Sequence, residues 1–181
     1  MVSTSGAELL PGDAIRTLRE KLLPMTSLLT PNIPEAILLL HDADQQAKTP
    51  SNLEEAKLLA KQVHALGPKA VLLKGGHMPL ASDYTKSISV DDATLVVDIL
   101  YDGSSYTLVE AEYSTSRNTH GTGCSLASAI AANMASGKEM VAAVRDSCRY
   151  VEAGIRTSKT LGKGNGPINH FHSVYHLPCA P

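Results

Sequence analysis

The sequence contains no tryptophan, and Phe171 is its single phenylalanine. The core must therefore be aliphatic, and a stacking platform of several aromatic side chains for nucleic-acid bases is not expected. The net charge is −2 and no basic block occurs, so the charge pattern gives no reason to expect a nucleic-acid partner. No apolar run is long enough to span a membrane, so no membrane partner is expected either.

Cysteine is also scarce. Cys124, Cys148 and Cys179 are the complete set, and none of them stands in a CxxC pair. This odd number favours reduced thiols and a cytoplasmic protein. His170 and His172 lie two residues apart without an acidic or cysteine neighbour, which favours packing of the tail over a metal site.

Helical and strand patterns alternate along the 181 residues, a length that suits one domain. Five helices are predicted. The first follows an Asp13 cap, the second begins at Pro34, and the third covers 53–66 after a Ser51–Glu54 capping box. The last two cover 125–136 and 139–161. Short buried strands are predicted at 27–30 and 70–73, and a hairpin with an Asp-Gly turn over 95–113. The order indicates an α/β fold with a mostly parallel sheet and an antiparallel edge.

The most informative segment is Asn118–Cys124, where a Gly-Thr-Gly turn precedes the helix of small residues. Backbone N–H groups at a helix start lack carbonyl partners, so the amides of Gly121, Thr122, Gly123 and Cys124 predict an anion site. A thiol titrates near pH 8.5, and a helix N-terminus lowers that value, so Cys124 is a candidate base. A tight turn followed by a core thiol is the alternative interpretation, and a cysteine hydrolase is a rival chemistry.

The string HGTGCSLASAIAA at 120–132 resembles the anion-hole segment of ribokinase-like small-molecule kinases. Within them it is similar to the hydroxymethylpyrimidine and phosphomethylpyrimidine kinases of thiamin biosynthesis. Most ribokinase relatives carry Asp where this chain has Cys124, although some pyridoxal kinases share the Cys. The resemblance implies a ribokinase-like three-layer sandwich, an ATP- and Mg²⁺-dependent phosphotransferase, and Cys124 as catalytic base, with the amides of Gly121, Thr122 and Gly123 stabilising the moving phosphoryl group.

Two further segments resemble the same family. TPNIPEA at 30–36 is similar to its Asn-x-x-Glu segment, which implies that Glu35 holds Mg²⁺ through water and that Asn32 lies near the nucleotide; helix capping is the alternative. LLKGGH at 72–77 is similar to a segment bordering the ATP site. It implies that Lys74 faces phosphates, that Gly75 and Gly76 leave room for the ligand, and that His77 lies on the adenine or substrate side.

Because ligands bind beyond the carboxyl ends of strands, the segments 30–35, 74–77 and 120–124 are expected at one edge of the sheet. The glycine-rich 162–171 segment resembles the end of the family domain near the nucleotide base, and a flexible helix exit is the alternative.

The resemblance runs over residues 1–172 as the C-terminal portion of a kinase domain, with 173–181 as a tail or junction. Residues 1–6 resemble a stretch inside the family fold, so roughly a hundred residues, at about 30 per βα unit, would be missing. The missing residues would include most of the pyrimidine pocket. Residues 176–181 resemble a junction before a thiaminase-II-like domain.

The predicted function is phosphorylation of hydroxymethylpyrimidine and its monophosphate, by this chain or by the whole kinase of which it is a truncated form. A pyridoxal-type kinase and a non-catalytic fragment that keeps only the nucleotide half remain alternatives. A homodimer is a further possibility.

Overall fold

The computed structural model describes residues 11–160 and 162–174. Its first helix, α1 at Gly12–Thr17, continues into a π-helical turn at Leu18–Leu22 and a 3-10 turn at Leu23–Met25. The prediction that Asp13 caps α1 is wrong. Pro11 occupies the cap position without a side-chain hydrogen bond, and Asp13 lies inside the first turn, because the chain becomes helical one residue earlier.

Helices α2 at Ile33–Asp42 and α3 at Leu53–His64 both begin at an asparagine. The predicted start near Pro34 is confirmed, since this proline lies in the first turn of α2. The predicted Ser51–Glu54 capping box is wrong by one residue. The Asn52 carboxamide accepts the N–H of Glu55 at 2.9 Å, and the Glu55 carboxylate accepts the N–H of Ser51 at 2.8 Å.

Three strands form one antiparallel sheet in the order β1–β2–β3, with β1 at Val71–Leu73, β2 at Leu95–Tyr101 and β3 at Tyr106–Glu112. The register pairs Leu72 with Leu100 and Asp98 with Val109. This sheet differs from the mostly parallel one expected, because the long connection after β1 returns the chain as a hairpin. Among the described residues, parallel pairing occurs only as isolated bridges, from Leu29 to Val71, from Asn32 to Lys74 and from His120 to Pro167. The predicted strand at 27–30 is accordingly a half-buried bridge segment.

The hairpin prediction is confirmed. Its turn is built around Asp102, whose carboxylate accepts the N–H groups of Ser104 at 2.8 Å and Ser105 at 2.7 Å. These two hydrogen bonds and those from both serine hydroxyls hold the pKa of Asp102 well below its ordinary value. Gly103 has φ 94°, a left-handed conformation that glycine adopts without strain.

The chain divides into two compact units, Met1–Tyr113 and Ser114–Pro181. The core of the first lies where α3 packs on β1 and β2 and α2 packs on α3, around Leu40, Leu59, Val63 and Ile99. In the second, α4 at Thr122–Ala135 packs against α5 at Met140–Arg156. α4 was predicted, whereas α5 ends before the predicted residue 161, which lies outside the described residues. None of the described helices is long and apolar enough to cross a membrane.

Candidate active site

Asn32 and Glu35 form a reciprocal capping box at the start of α2. The Asn32 carboxamide oxygen accepts the N–H of Glu35 at 2.8 Å, and Glu35 Oε2 accepts the N–H of Asn32 at 2.9 Å. Asn32 is buried, with 8% of its surface exposed. Capping thus accounts for both residues structurally, and it fixes the Glu35 carboxylate at the position where α2 meets the end of the bridge segment.

Lys74 lies directly after β1 and reaches across to the α2 start. Its ammonium donates to the carbonyl of Thr30 at 2.7 Å and stands 3.7 Å from Glu35 Oε2. The N–H of Lys74 donates to the carbonyl of Pro31 at 2.9 Å, which continues the parallel pairing. Both contacts of the Glu35 side chain fall on Oε2, so Oε1 makes no hydrogen bond or ion pair with any other described residue.

The two glycines after Lys74 differ sharply. A Cβ at Gly75 would collide with the carbonyl oxygen of Val97 and would lie 2.8 Å from its carbonyl carbon. The N–H of Gly75 donates to Asp98 Oδ1 at 2.8 Å. Gly76 has nothing within 4 Å of a Cβ placed there. Glycine is therefore required at position 75 by its close approach to the β2 backbone. The predicted role of Gly75 and Gly76 in leaving room for a ligand stays a prediction.

His77 is exposed at the end of this loop. Its pKa is lowered, first by partial desolvation and then by the positive charge of Lys74, with Glu35 opposing the shift. This shift favours the neutral ring, in which one nitrogen is able to accept a hydrogen bond.

The segment 121–124 begins α4. Gly121 occupies the cap position with φ 81° and ψ 3°, and no side chain caps the helix. The hydroxyls of Thr122 and Ser125 donate to the carbonyls of Thr119 at 3.1 Å and Gly121 at 2.8 Å. The N–H of Thr122 donates to the carbonyl of Thr119 at 3.4 Å, whereas the N–H groups of Gly123 and Cys124 have no partner among the described residues, and Cys124 is exposed beside them.

Asn118 lies in the segment before α4, and no role is predicted for it from the sequence. It is buried, with 3% of its surface exposed, and its Nδ2 donates to the hydroxyl of Ser158 at 3.0 Å. Its Oδ1 is buried without a hydrogen-bond partner in the described part of the chain. Gly166 passes so close to that oxygen that a Cβ would collide with it, and the N–H of His120 donates to the Gly166 carbonyl at 3.2 Å. The glycine-rich segment is thus anchored along 118–120.

The structure brings Asn32, Glu35 and Lys74 together in the first unit, and the amides of 121–124 together in the second. Among the described residues no group of three or more His, Cys, Asp or Glu side chains is arranged to hold a metal ion directly. That Glu35 holds Mg²⁺ through bound water stays a prediction.

A comparison with protein families decides the assignment: the family model described as phosphomethylpyrimidine kinase matches residues 1–169. The chain belongs to the phosphomethylpyrimidine kinase family. A fission-yeast relative, the putative hydroxymethylpyrimidine/phosphomethylpyrimidine kinase 2 of Schizosaccharomyces pombe, is 40% identical over 100% of this chain and 33% of its own length. The hydroxymethylpyrimidine/phosphomethylpyrimidine kinase of Bacillus subtilis is 33% identical over 94% of this chain and 56% of its own length.

Comparison with solved structures places this chain in the ribokinase-like fold. An ADP complex of Bacillus subtilis pyridoxal kinase superposes with a TM-score of 0.74 at 27% identity, covering 91% of this chain and 57% of that one. The predicted α/β ribokinase-like fold is thereby confirmed. The chain spans about a third to just over half of the length of these relatives.

Proposed function

We propose that this chain supplies the nucleotide- and phosphoryl-binding groups of an ATP-dependent kinase that acts on hydroxymethylpyrimidine and its monophosphate. The observation that carries the proposal is the uncapped start of α4, with Gly121 in a left-handed conformation and the exposed Cys124 thiol beside free amides. Such an arrangement favours a phosphate, because N–H donors and the helix dipole both attract negative charge. Membership of the family supports the choice of phosphoryl transfer.

In this reaction the Cys124 thiolate accepts the proton of the attacking hydroxyl, or phosphate, group of the substrate. The substrate oxygen then bonds to the γ-phosphorus of ATP, and ADP leaves. The amides of Gly121, Thr122, Gly123 and Cys124 stabilise the charge on the transferred phosphoryl group. Two of these donors are open, since the N–H groups of Gly123 and Cys124 have no partner among the described residues, whereas the N–H of Thr122 donates to the carbonyl of Thr119 at 3.4 Å.

The first unit supplies the remaining proposed contacts. Lys74 presents a cation toward nucleotide phosphates, Gly75 and Gly76 border the nucleotide, and the neutral His77 accepts a hydrogen bond from the nucleotide or substrate. Asn32 positions Glu35, whose Oε1 is open to a metal-bound water. Mg²⁺, when bound, neutralises charge on the phosphate oxygens.

Glu35→Gln separates the metal role from the capping role. Glutamine can preserve the capping box with Asn32, because its oxygen still accepts the backbone N–H, but it removes the negative charge. In a complete, active form of the kinase we expect thermal stability to remain close to that of the wild type and the Mg²⁺ concentration needed for half-maximal activity to rise severalfold. Asn32→Ala is the matched variant, which breaks the cap and costs about 1 kcal/mol of stability. An unchanged Mg²⁺ titration for Glu35→Gln would reduce both residues to helix caps.

Substrate choice is tested by assaying ATP-dependent phosphorylation of hydroxymethylpyrimidine, its monophosphate and pyridoxal. Pyridoxal is included because the solved pyridoxal kinase shares the fold at 27% identity. We expect the 181 residues alone to bind nucleotide but to turn over none of these three substrates, because positioning of both reactants contributes about 7–11 kcal/mol to such reactions. Fusion to the remaining part of a related domain should restore activity on the pyrimidines. Robust turnover by the 181 residues alone would contradict the expectation that they are inactive. A preference for pyridoxal would show that the domain is a pyridoxal-type kinase instead.

Four further features remain proposals: a cytoplasmic location, a homodimer, a kinase portion at 1–172 with a junction at 173–181, and an accompanying thiaminase-II-like domain. Residues 1–10 and 175–181, on which part of this rests, lie outside the described residues.

A further inference from the structure

Charge is divided unevenly between the two units of the chain. Residues 1–113 contain nine Lys and Arg against fifteen Asp and Glu, whereas residues 114–181 contain seven Lys and Arg against three Asp and Glu. With histidine neutral, the formal charges of the units are −6 and +4, although the whole chain carries only −2. The unit that contains α4 is therefore the one that attracts anions at long range.

Within the second unit, two stretches contain no acidic side chain at all. Neither 113–138 nor 153–181 contains an Asp or Glu. Three exposed cations in these stretches, Arg117, Lys159 and Lys163, are called the cation cluster below. None of the three forms an ion pair with another described residue. Their positive charge is consequently left uncompensated at the surface.

The path of the chain places this cluster near the start of α4. The connection 136–139 is short, so α5 runs back along α4 and ends at the end of the unit where α4 begins. The Arg117 guanidinium donates to the carbonyl of Gly162 at 3.2 Å, and the Asn118 amide donates to the hydroxyl of Ser158 at 3.0 Å. The two lysines of the cluster directly follow these two acceptors in the sequence.

Helix stability does not account for the cluster. Arg156 lies in the last turn of α5, where a cation interacts favourably with the helix dipole. That effect falls off within the last turn, and both lysines of the cluster lie beyond it. Like charges without an acidic partner repel one another, so this placement is unfavourable in the empty protein and favourable when an anion approaches.

We propose that the cation cluster steers the polyanionic nucleotide to the start of α4 and thereby raises its association rate. This role rests on the nucleotide site proposed above and adds the route by which the nucleotide reaches it. Surfaces of a single sign of charge raise the association rates of oppositely charged ligands about 10–10³-fold. The gain grows with the charge of the ligand, so ATP gains more than AMP, and an uncharged pyrimidine alcohol gains nothing.

The test is stopped-flow binding of a fluorescent N-methylanthraniloyl ATP to the 181-residue chain. At about 0.1 M salt we expect the double variant Lys159→Glu/Lys163→Glu to lower kon about tenfold and to leave koff within about twofold. The Debye length falls from about 10 Å at 0.1 M salt to about 3 Å at 1 M, so the difference in kon should disappear at 1 M. The corresponding AMP analogue should show a smaller loss of kon.

The double variant Arg145→Glu/Arg149→Glu is the matched control. It makes the same change in net charge in the same unit, and both arginines are exposed on α5. They lie about 10–16 Å before the end of the helix, at 1.5 Å per residue, and therefore a Debye length or more from the cluster. Their kon should stay within about twofold of the wild type. Circular dichroism should show equal helix content in all variants.

A second variant and the distinct outcomes complete the test. Lys159→Gln/Lys163→Gln removes the two charges without reversing them and should lower kon by about half as much on a logarithmic scale. Equal kon in the Lys159/Lys163 and Arg145/Arg149 charge reversals would overturn steering and leave the nucleotide site in place. A change confined to koff would overturn steering in favour of direct contact with the bound nucleotide. Failure of the wild-type chain to bind nucleotide at either salt concentration would overturn the proposed function, and steering with it.

Discussion

Replacement of Cys124 by alanine is expected to lower turnover about 10²–10⁴-fold in an active form of this kinase, the usual scale for loss of a general base. The reason is positional: the thiol is exposed at the start of α4, beside amides that have no partner among the described residues. Nucleotide affinity should change by no more than a factor of a few, because those amides remain. Steady-state kinetics with separate kcat and KM values, together with nucleotide titration, measures both quantities.

Cys148→Ala is the appropriate control for this variant. Cys148 is a partly buried thiol on α5, in the same unit but away from the helix start. Its loss should leave kcat nearly unchanged. Cys124→Ser should remain far below the wild type, since a hydroxyl is a much weaker acid than a thiol and supplies little of the basic form at neutral pH. Turnover within a few-fold of the wild type in Cys124→Ala would move the base to another residue.

Gly75→Ala is expected to destabilise the first unit by about 3 kcal/mol, at the upper end of typical overpacking costs. The added methyl group would meet the backbone of Val97, which lies in the central strand and has little freedom to move. Displacing Gly75 would also weaken its hydrogen bond to Asp98, measured at 2.8 Å. Urea unfolding followed by circular dichroism gives the free energy of unfolding directly.

Gly76→Ala is the neighbouring comparison. Nothing lies within 4 Å of a Cβ at Gly76, so the substitution should be neutral or stabilising by about 0.4–1 kcal/mol through a less flexible unfolded chain. A collapse of stability in Gly76→Ala, or tolerance of Gly75→Ala, would show that the loop after β1 does not pack on β2 in this way. Equal losses of nucleotide binding with unchanged stability would show that the ligand role proposed for both glycines outweighs the packing role of Gly75.

Local chemistry explains which elements could be predicted from sequence. The hairpin has alternating apolar residues on both sides of Asp102-Gly103, and the signal for α4 is a glycine turn before small helix-forming residues. Both patterns are contained within a few neighbouring residues. The cap of α3 was displaced because Ser51 and Asn52 are both good caps and both have a glutamate three residues later.

The remaining features depend on pairing between distant segments. The need for glycine at position 75 arises from the register that places it against Val97, and the acceptor for its N–H is supplied by Asp98 on another strand. The burial of Asn118 likewise depends on the approach of Gly166. The predicted parallel direction of the strands was wrong for the same reason. Apolar runs identify strands, but they do not show which strand lies alongside or in which direction that strand runs. The predicted roles of individual site residues remain predictions.

The open first turn of α4 has a consequence for how this sequence could change. Asparagine or aspartate at position 121 would tolerate the left-handed backbone better than most residues and could offer its own oxygen to the amides that follow. Such a change would stabilise the helix by placing a tethered carboxylate or carboxamide oxygen where the phosphate is proposed to bind. Selection for stability and selection for activity would therefore favour different residues at position 121. A redesign for stability that ignored the ligand would choose the inhibitory residue.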